Sequence, residues 1–335
     1  MIVKMNLEKN SYDIVVERGV LNKAYELLNL NRKVLIITDD GVPPQYSECI
    51  AKQCKEPFIK CVPQGEKSKS FDTYKLLLSF LLEKGFTRTD CIVAVGGGVV
   101  GDLSGFVAAS FMRGIDFYGV PTTLLSQVDS SIGGKVAINL NGIKNIVGAF
   151  YQPKKVLIDP EVLKTLPIRQ INNGLAEAVK MALTSDELLF NLFENEDILE
   201  NIDEIIIRSL KIKKSVVEED ETEKGVRKIL NFGHTIGHGI ESSENLKKLL
   251  HGECVALGML PMCSSSVKER LLKVLKKIGL PTNISSNVDS VISAIGHDKK
   301  FDGETITVIF VNTPGEYEMK NITKKELCPF VKEVF

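Results

Sequence analysis

The sequence lacks most of what would place a protein by composition alone. No apolar run approaches the roughly 20 residues that a membrane-spanning helix requires, so no membrane association is expected. Met1-Ile2-Val3-Lys4-Met5-Asn6 has no apolar secretory core, and a cytoplasmic location is the expectation. No sign of charge dominates: 42 Lys and Arg stand against 43 Asp and Glu, for a net charge of −1. A nucleic-acid partner therefore has no whole-chain electrostatic support. The seven cysteines are odd in number and include no CxxC pair, which fits a reduced protein rather than a disulfide framework. No repeat, linker or low-complexity tract interrupts the 335 residues, which suffice for two domains.

Histidine is scarce too. Of the four present, His234, His238 and His251 fall within eighteen positions. Asn231, His234 and His238 are spaced by three and four residues, which on a helix puts them on one face. Glycines flank each of these histidines, so little bulk would hinder a ligand approaching the imidazoles. Two histidines and one carboxylate form a usual catalytic zinc set, and the carboxylate must come from elsewhere. A helix-borne histidine pair is also a common packing feature, and spacing alone does not separate the two.

Residues 1–20 alternate apolar and polar and read as one or two strands. Residues 33–40 form an apolar run ending in two acids, the pattern of a buried parallel strand. Open α/β sheets bind ligands at the carboxyl ends of such strands. Asp39 is thus a candidate ribose contact, with a helix N-cap as the alternative. Residues 91–95 read as a strand, 96–102 as a glycine turn and 103–111 as a helix. Gly96, Gly98 and Gly101 fit G-x-G-x-x-G in its required context. Such a turn lets backbone approach a pyrophosphate at a helix N-terminus, but it can also serve tight packing alone. The acid expected after the second strand of the usual unit is not evident. Residues 116–120 form a further strand, 127–135 a glycine-rich run suited to an anion, and 155–160 the last strand of this half.

From Leu163 onward the pattern turns helical. Glu177 and Lys180 share a helix face, which by itself reads as a surface ion pair. Lys211, Lys213 and Lys214 read as a solvated face. A short β-like patch covers 305–311. The expected class is α/β, with an α/β domain over 1–160 and a mostly α-helical domain over 161–335.

Taken together, residues 96–102, Arg113-Gly114, Pro121-Thr122-Thr123, 127–135 with Lys144-Asn145, and Ala176-Glu177 with Lys180 resemble the 3-dehydroquinate synthases of the sugar-phosphate cyclase superfamily. Arg227 with residues 231–235 and His238, and Leu250-His251-Gly252-Glu253, complete the resemblance. It implies a Rossmann-like domain binding NAD and a helical domain holding zinc, with cobalt as a substitute. The implied metal ligands are Glu177, His234 and His251. The implied NAD contacts are Asp39, Glu66, Lys69, Gly97, Gly98, Val99, Asp102, Thr122, Thr123, Lys135, Lys144 and Thr165. Asp129, Lys135, Asn145, Lys180, Lys213, Arg227, Asn231 and His238 match the substrate pocket, and one of Lys299 and Lys300 a phosphate-binding lysine. His238 is implied as a phosphate and proton-relay residue rather than a ligand. Arg113 matches a residue reaching the neighbouring subunit's site, which implies a homodimer. Val136-Ala137 departs from the family's usual Thr-Gly.

The implied reaction turns 3-deoxy-D-arabino-heptulosonate 7-phosphate into 3-dehydroquinate and phosphate through a transient NAD-dependent oxidation. Another cyclase, such as a 2-deoxy-scyllo-inosose synthase, is the alternative, acting on a sugar phosphate without a carboxylate. A metal-dependent alcohol dehydrogenase, which would release NADH, and a non-catalytic binding protein are the more distant readings.

Overall fold

The computed structural model describes residues 1–243, 249–284, 288–295 and 305–334. The chain divides into two compact units, Met1–Pro167 and Ile168–Phe335.

The first unit runs β1 (Ile2–Met5), β2 (Tyr12–Val16), α1 (Ala24–Leu27), β3 (Lys33–Asp39), α2 (Pro44–Ala51) and β4 (Glu56–Val62). It continues α3 (Phe71–Glu83), β5 (Cys91–Gly96), α4 (Gly98–Ser110), β6 (Asp116–Pro121), β7 (Lys135–Leu140), β8 (Ile143–Phe150) and β9 (Lys155–Ile158). Seven strands form one sheet in the order β1-β2-β9-β6-β5-β3-β4. Only the β1–β2 pair is antiparallel. The apolar run of β3 follows from burial on both faces. Val34 and Ile36 enter one core layer with Ile50 of α2. Leu35 and Ile37 enter the other, with Leu77 of α3 and Leu103 of α4. All four strand residues are fully buried, each contributing roughly 1.5–3 kcal/mol of transfer free energy. A strand covered on both sides has no polar alternation to show.

The order of this sheet locates a binding crevice. From β3 the chain moves outward to the edge strand β4, then returns to β5 on the other side of β3. It then proceeds away through β6 to β9. The direction of winding reverses between β3 and β5, and ligands of open α/β sheets bind outside the carboxyl ends at that reversal. Asp39 ends β3 and the glycine turn follows β5.

Two local expectations change. The helix after β5 starts at Gly98 rather than Leu103, because the glycine segment is itself its first turn. Residues 135–150 form a hairpin not foreseen as such. Asn141 (φ 51°) and Gly142 (φ 78°) make its two-residue turn, the backbone that Asn-Gly favours. β8 is exposed along nearly its whole length, so it carries no alternation to betray a strand.

The second unit runs α5 (Ile168–Ser185), α6 (Glu187–Asn195), α7 (Ile202–Glu219), α8 (His234–Ser242), α9 (His251–Met259), α10 (Ser265–Ile278) and α11 (Val288–Ile295). An antiparallel hairpin, β10 (Thr305–Thr313) with β11 (Glu316–Thr323), and α12 (Lys324–Lys332) complete it. The β-like patch is thus one arm of a two-stranded hairpin. α5 is central: every residue from Asn173 to Thr184 is buried. α8 and α9 approach closely through glycines. A Cβ on Gly258 would strike the carbonyl oxygen of Gly233, and one on Gly237 would sit 3.0 Å from the carbonyl oxygen of Cys254. Among the described residues, no helix is long and apolar enough to cross a membrane.

Candidate active site

In the first unit the glycine segment borders a small cleft. Gly97, Gly98, Gly101, Asp102 and Lys135 are among its walls. Its glycines differ in what they face. A Cβ on Gly96 would meet Val100 at 2.6 Å, so that glycine serves the fold of the turn. A Cβ on Gly101 would meet nothing within 4 Å. No side chain caps the start of α4, which leaves its first N–H groups for an anion. The hydroxyls of Ser130 and Ser131, both on this cleft, are buried without a hydrogen-bond partner among the described residues. Orphaned donors beside an open glycine wall fit a ligand rich in acceptors, as a dinucleotide pyrophosphate is. Val136, at the family departure, packs against Gly105 of α4 and fills the space a Cβ there would need.

Around this cleft the expected residues fall into small networks. Asp39 is buried at the end of β3 and accepts from Gly41 N at 2.9 Å. Burial raises its carboxyl above the ordinary value against the pull of that bond. It is not a helix N-cap, since α2 starts after Pro43. Thr122 N donates to Gly96 O, and the Thr123 hydroxyl pairs with Ser126. The Lys69 ammonium is buried, 2.6 Å from Asp102 Oδ2, and also donates to Asn145 Oδ1. Asn139, unmarked in the sequence, ties this group together. Its Nδ2 donates to Glu66 at 2.8 Å and its Oδ1 accepts from Asn145 N at 2.9 Å. Asn145 sits at φ 53°, a strained conformation that these bonds hold. Val99 lies in the first turn of α4, Asp129 in a π-helical turn (Ser126–Ser130), and Lys144 is exposed on β8. The Thr165 hydroxyl pairs with that of Tyr46 of α2 at 2.8 Å. Met112 (φ 49°) and Arg113 (φ 69°) are exposed in a tight turn after α4.

In the second unit α5, α8 and α9 bring Glu177, His234 and His251 together, with their ligating atoms within 4.8 Å of one another. Glu177 Oε1 is buried without a hydrogen bond among the described residues. It lies 3.6 Å from Nε2 of His234 and 3.4 Å from Nε2 of His251. Nδ1 of His234 is 3.1 Å from the Phe232 carbonyl, which can only accept, so Nε2 carries the lone pair. An unbonded carboxylate oxygen facing two imidazole nitrogens is the donor set that a divalent cation takes. Tetrahedral bonds of about 2.1 Å place ligand atoms roughly 3.4 Å apart, close to the separations found. Without an ion, burial pushes the Glu177 carboxyl up, but the Lys180 ammonium and His251 outweigh it and hold it at about 2. Burial lowers His251, but Glu177 and Glu241 prevail and raise it to about 9.

Several sequence expectations need correction here. Lys180 and Glu177 are both buried and bonded to each other, so they are not a surface pair. Lys213 is buried while Lys211 on the same helix is exposed, so that lysine run is not one solvated face. Asn231 does not share the histidine helix. It ends a 3-10 turn (Val226–Asn231), and Gly233 at φ 74° separates it from α8. The flanking glycines make room for helices rather than ligand: a Cβ on Gly252 would strike Asn173 O, and one on Gly239 would strike Ile295.

Supporting residues complete the site. Arg227 is buried, and its Nη1 donates to Glu221 O at 2.5 Å. Asp220 organises that loop by accepting from Lys224, Gly225 and Arg227 backbone N–H groups. Asn231 Nδ2 donates to Glu223 at 2.8 Å. Glu253 accepts from Leu250 N and holds Arg169 through both oxygens, and Asn173 accepts from Gly252 N at 2.6 Å. Together they fix the start of α9, and with it His251. Only Glu253 had a readable signal, its position three residues into a helix start. Lys299 and Lys300 lie outside the described residues.

The 3-dehydroquinate synthase N-terminal family matches residues 59–173, and the 3-dehydroquinate synthase C-terminal family matches residues 174–301. The chain belongs to the 3-dehydroquinate synthase family. It is 41% identical over 354 residues to a 3-dehydroquinate synthase of Streptococcus suis, covering 99% of this chain and 100% of that one. Related cyclases share its fold. A 2-deoxy-scyllo-inosose synthase, in complex with carbaglucose-6-phosphate, NAD+ and Co2+, superposes with a TM-score of 0.90 at 27% identity over the whole of both chains. A 2-epi-5-epi-valiolone synthase from Streptomyces hygroscopicus, with NAD+ and Zn2+ bound, gives 0.88 at 26% identity over 98% of each. For a 3-dehydroquinate synthase family member, the Rossmann-like first unit and the helical second unit are the expected architecture.

Proposed function

We propose that this chain is a 3-dehydroquinate synthase, converting 3-deoxy-D-arabino-heptulosonate 7-phosphate into 3-dehydroquinate and inorganic phosphate. The observation that carries the reading is the buried Glu177–His234–His251 cluster with its orphaned carboxylate oxygen, in a chain 41% identical to a 3-dehydroquinate synthase. Glu177, His234 and His251 would hold the divalent ion, zinc or cobalt, and the cleft at α4 would hold NAD. When bound, NAD supplies a reversible hydride acceptor and the metal a Lewis acid at the substrate oxygens.

The chain's own residues bind, orient and move protons. Arg227 offers a planar fork that suits the substrate carboxylate. Lys135, Asn145, Asn231, His238 and one of Lys299 and Lys300 supply the several donors a phosphate requires. His238, beside His234 with ring centroids 5.3 Å apart, moves the proton as phosphate leaves. Asp129, Lys180 and Lys213 complete the substrate pocket. The dinucleotide contacts are assigned to Asp39, Glu66, Lys69, Gly97, Gly98, Val99, Asp102, Thr122, Thr123, Lys135, Lys144 and Thr165. The family resemblance at Arg113-Gly114 supports a homodimer in which Arg113, exposed on this chain, serves the neighbouring subunit. None of the seven cysteines, all among the described residues, forms a disulfide, which supports a reducing, cytoplasmic setting.

The test is phosphate release from the heptulosonate phosphate by the purified chain, with NAD and with or without a chelator. Release should need both cofactors, be abolished by the chelator, and leave no free NADH. Chelator-resistant release would refute the metal reading. Faster release from glucose 6-phosphate would indicate a 2-deoxy-scyllo-inosose synthase instead.

A further inference from the structure

Glu241 closes the last turns of α8, in the histidine segment, and none of the roles above uses it. Its Oε2 lies 3.2 Å from Nδ1 of His251. The other ring nitrogen of His251, Nε2, lies 3.4 Å from Glu177 Oε1. The imidazole is therefore held between two carboxylates, one at each nitrogen. An ionised carboxylate only accepts, so Nδ1 carries the proton toward Glu241, and with an ion bound Nε2 would present its lone pair to that ion. The two nitrogens of an imidazole point away from each other, so a carboxylate at Nδ1 cannot share an ion with Nε2. We propose that Glu241 is a positioning residue that fixes the tautomer and ring orientation of His251 and so sets the affinity of the Glu177–His234–His251 site for its metal.

The three ligands are oriented in different ways. His234 gives its Nδ1–H to the Phe232 carbonyl at 3.1 Å. That acceptor is backbone and fixed by the turn preceding α8. The Glu177 carboxylate is bonded to Lys180 one helical turn along α5. His251 is oriented by a side chain of another helix: it starts α9, and Glu241 belongs to α8. A carboxylate acceptor also makes the ring a stronger electron donor than a carbonyl does, and such outer partners typically govern about 10–100-fold in metal affinity. His238, Glu241 and His251 also bring their own ligating atoms within 4.8 Å of one another. Direct ligation by Glu241 is thus the competing outcome, and it requires His251 to turn Nδ1 rather than Nε2 to the ion.

The inference rests on the metal reading above. The experiment is zinc affinity of the full-length chain, measured by competition with a chromophoric chelator. It compares wild type, His251→Ala, Glu241→Ala and Glu241→Gln, with NAD affinity and the melting temperature of the metal-free protein followed in parallel. Glu241→Ala should weaken zinc binding by roughly 10–100-fold. Glu241→Gln should recover most of that loss, because its amide oxygen still accepts from Nδ1–H. NAD affinity and metal-free melting should be unchanged in both. Wild-type zinc affinity in Glu241→Ala would overturn the proposal. So would a loss in Glu241→Gln as large as in His251→Ala, which would make the carboxylate itself a ligand. A lowered melting temperature without weaker zinc binding would make the role structural and also overturn it. If His251→Ala keeps wild-type zinc affinity, the metal reading itself fails, and that outcome is distinct from the others.

Discussion

Gly97, Gly98 and Gly101 of the first unit border a cleft, whereas Gly237, Gly252 and Gly258 of the second border the backbone of neighbouring helices. Both sets flank residues that a reader of the sequence would mark for chemistry. In the first set a Cβ on Gly97 or Gly98 would approach only a Thr123 or Ser130 side chain, at 3.0 Å, and one on Gly101 would meet open space that a ligand can enter. In the second, the space is already taken, and the glycines allow α8, α9 and α5 to approach closely enough for Glu177, His234 and His251 to converge. Glycine next to a functional residue therefore carries two meanings, and only the neighbours of the missing Cβ decide between them.

Substitutions at these glycines can break that contrast. The largest effect is expected at Gly258, where a Cβ would strike the Gly233 carbonyl oxygen and approach the Gly237 nitrogen at 2.8 Å. Gly258→Ala should destabilise the chain by about 3 kcal/mol in urea unfolding, since backbone cannot yield as a side chain does. A cost below about 1 kcal/mol would show that the helices have room to spare. Gly237→Ala should cost less, about 1–2 kcal/mol, because its Cβ would lie 3.0 Å from the Cys254 carbonyl oxygen. Gly101→Ala should have the smallest effect on stability. Its Cβ would enter open space on a helix, where alanine is favoured over glycine by up to about 1 kcal/mol. The same substitution should weaken NAD binding in a dinucleotide titration. Unchanged NAD affinity would mean that this wall of the cleft faces no ligand.

The contrast also explains what could be read in advance. The buried strands β3 and β5 were legible as unbroken apolar runs, because burial on both faces imposes them. The helical character of the second unit was legible from Leu163 onward, but α11 and α12 near its end were not singled out. The β8 strand was not, because an exposed strand is under no hydrophobic constraint, and Asn141-Gly142 was its only signal. Asn231 was placed on the histidine helix because spacing alone carries no mark of the left-handed residue Gly233 that begins α8. Lys180 and Lys213 read as surface charges because an i,i+3 ion pair or a lysine run has the same spacing on a buried helix as on an exposed one, and what packs over the helix decides burial. Asn139 left no signal because it joins Glu66, 73 residues away, to the neighbouring Asn145, and Asp220 left none because an acid in a charged loop has no pattern that marks it as the acceptor of the Lys224, Gly225 and Arg227 N–H groups. Charges that carry chemistry were thus the least legible residues from local pattern and the most legible from family resemblance.

The central claim is that Glu177, His234 and His251 together grip a divalent ion. The direct measurement is zinc per chain after exhaustive dialysis, comparing wild type with Glu177→Gln, which keeps the size of the side chain and removes its charge. Wild type should retain about one zinc per chain, and Glu177→Gln almost none, with the dinucleotide still binding to both. Equal zinc in the two proteins would contradict the account.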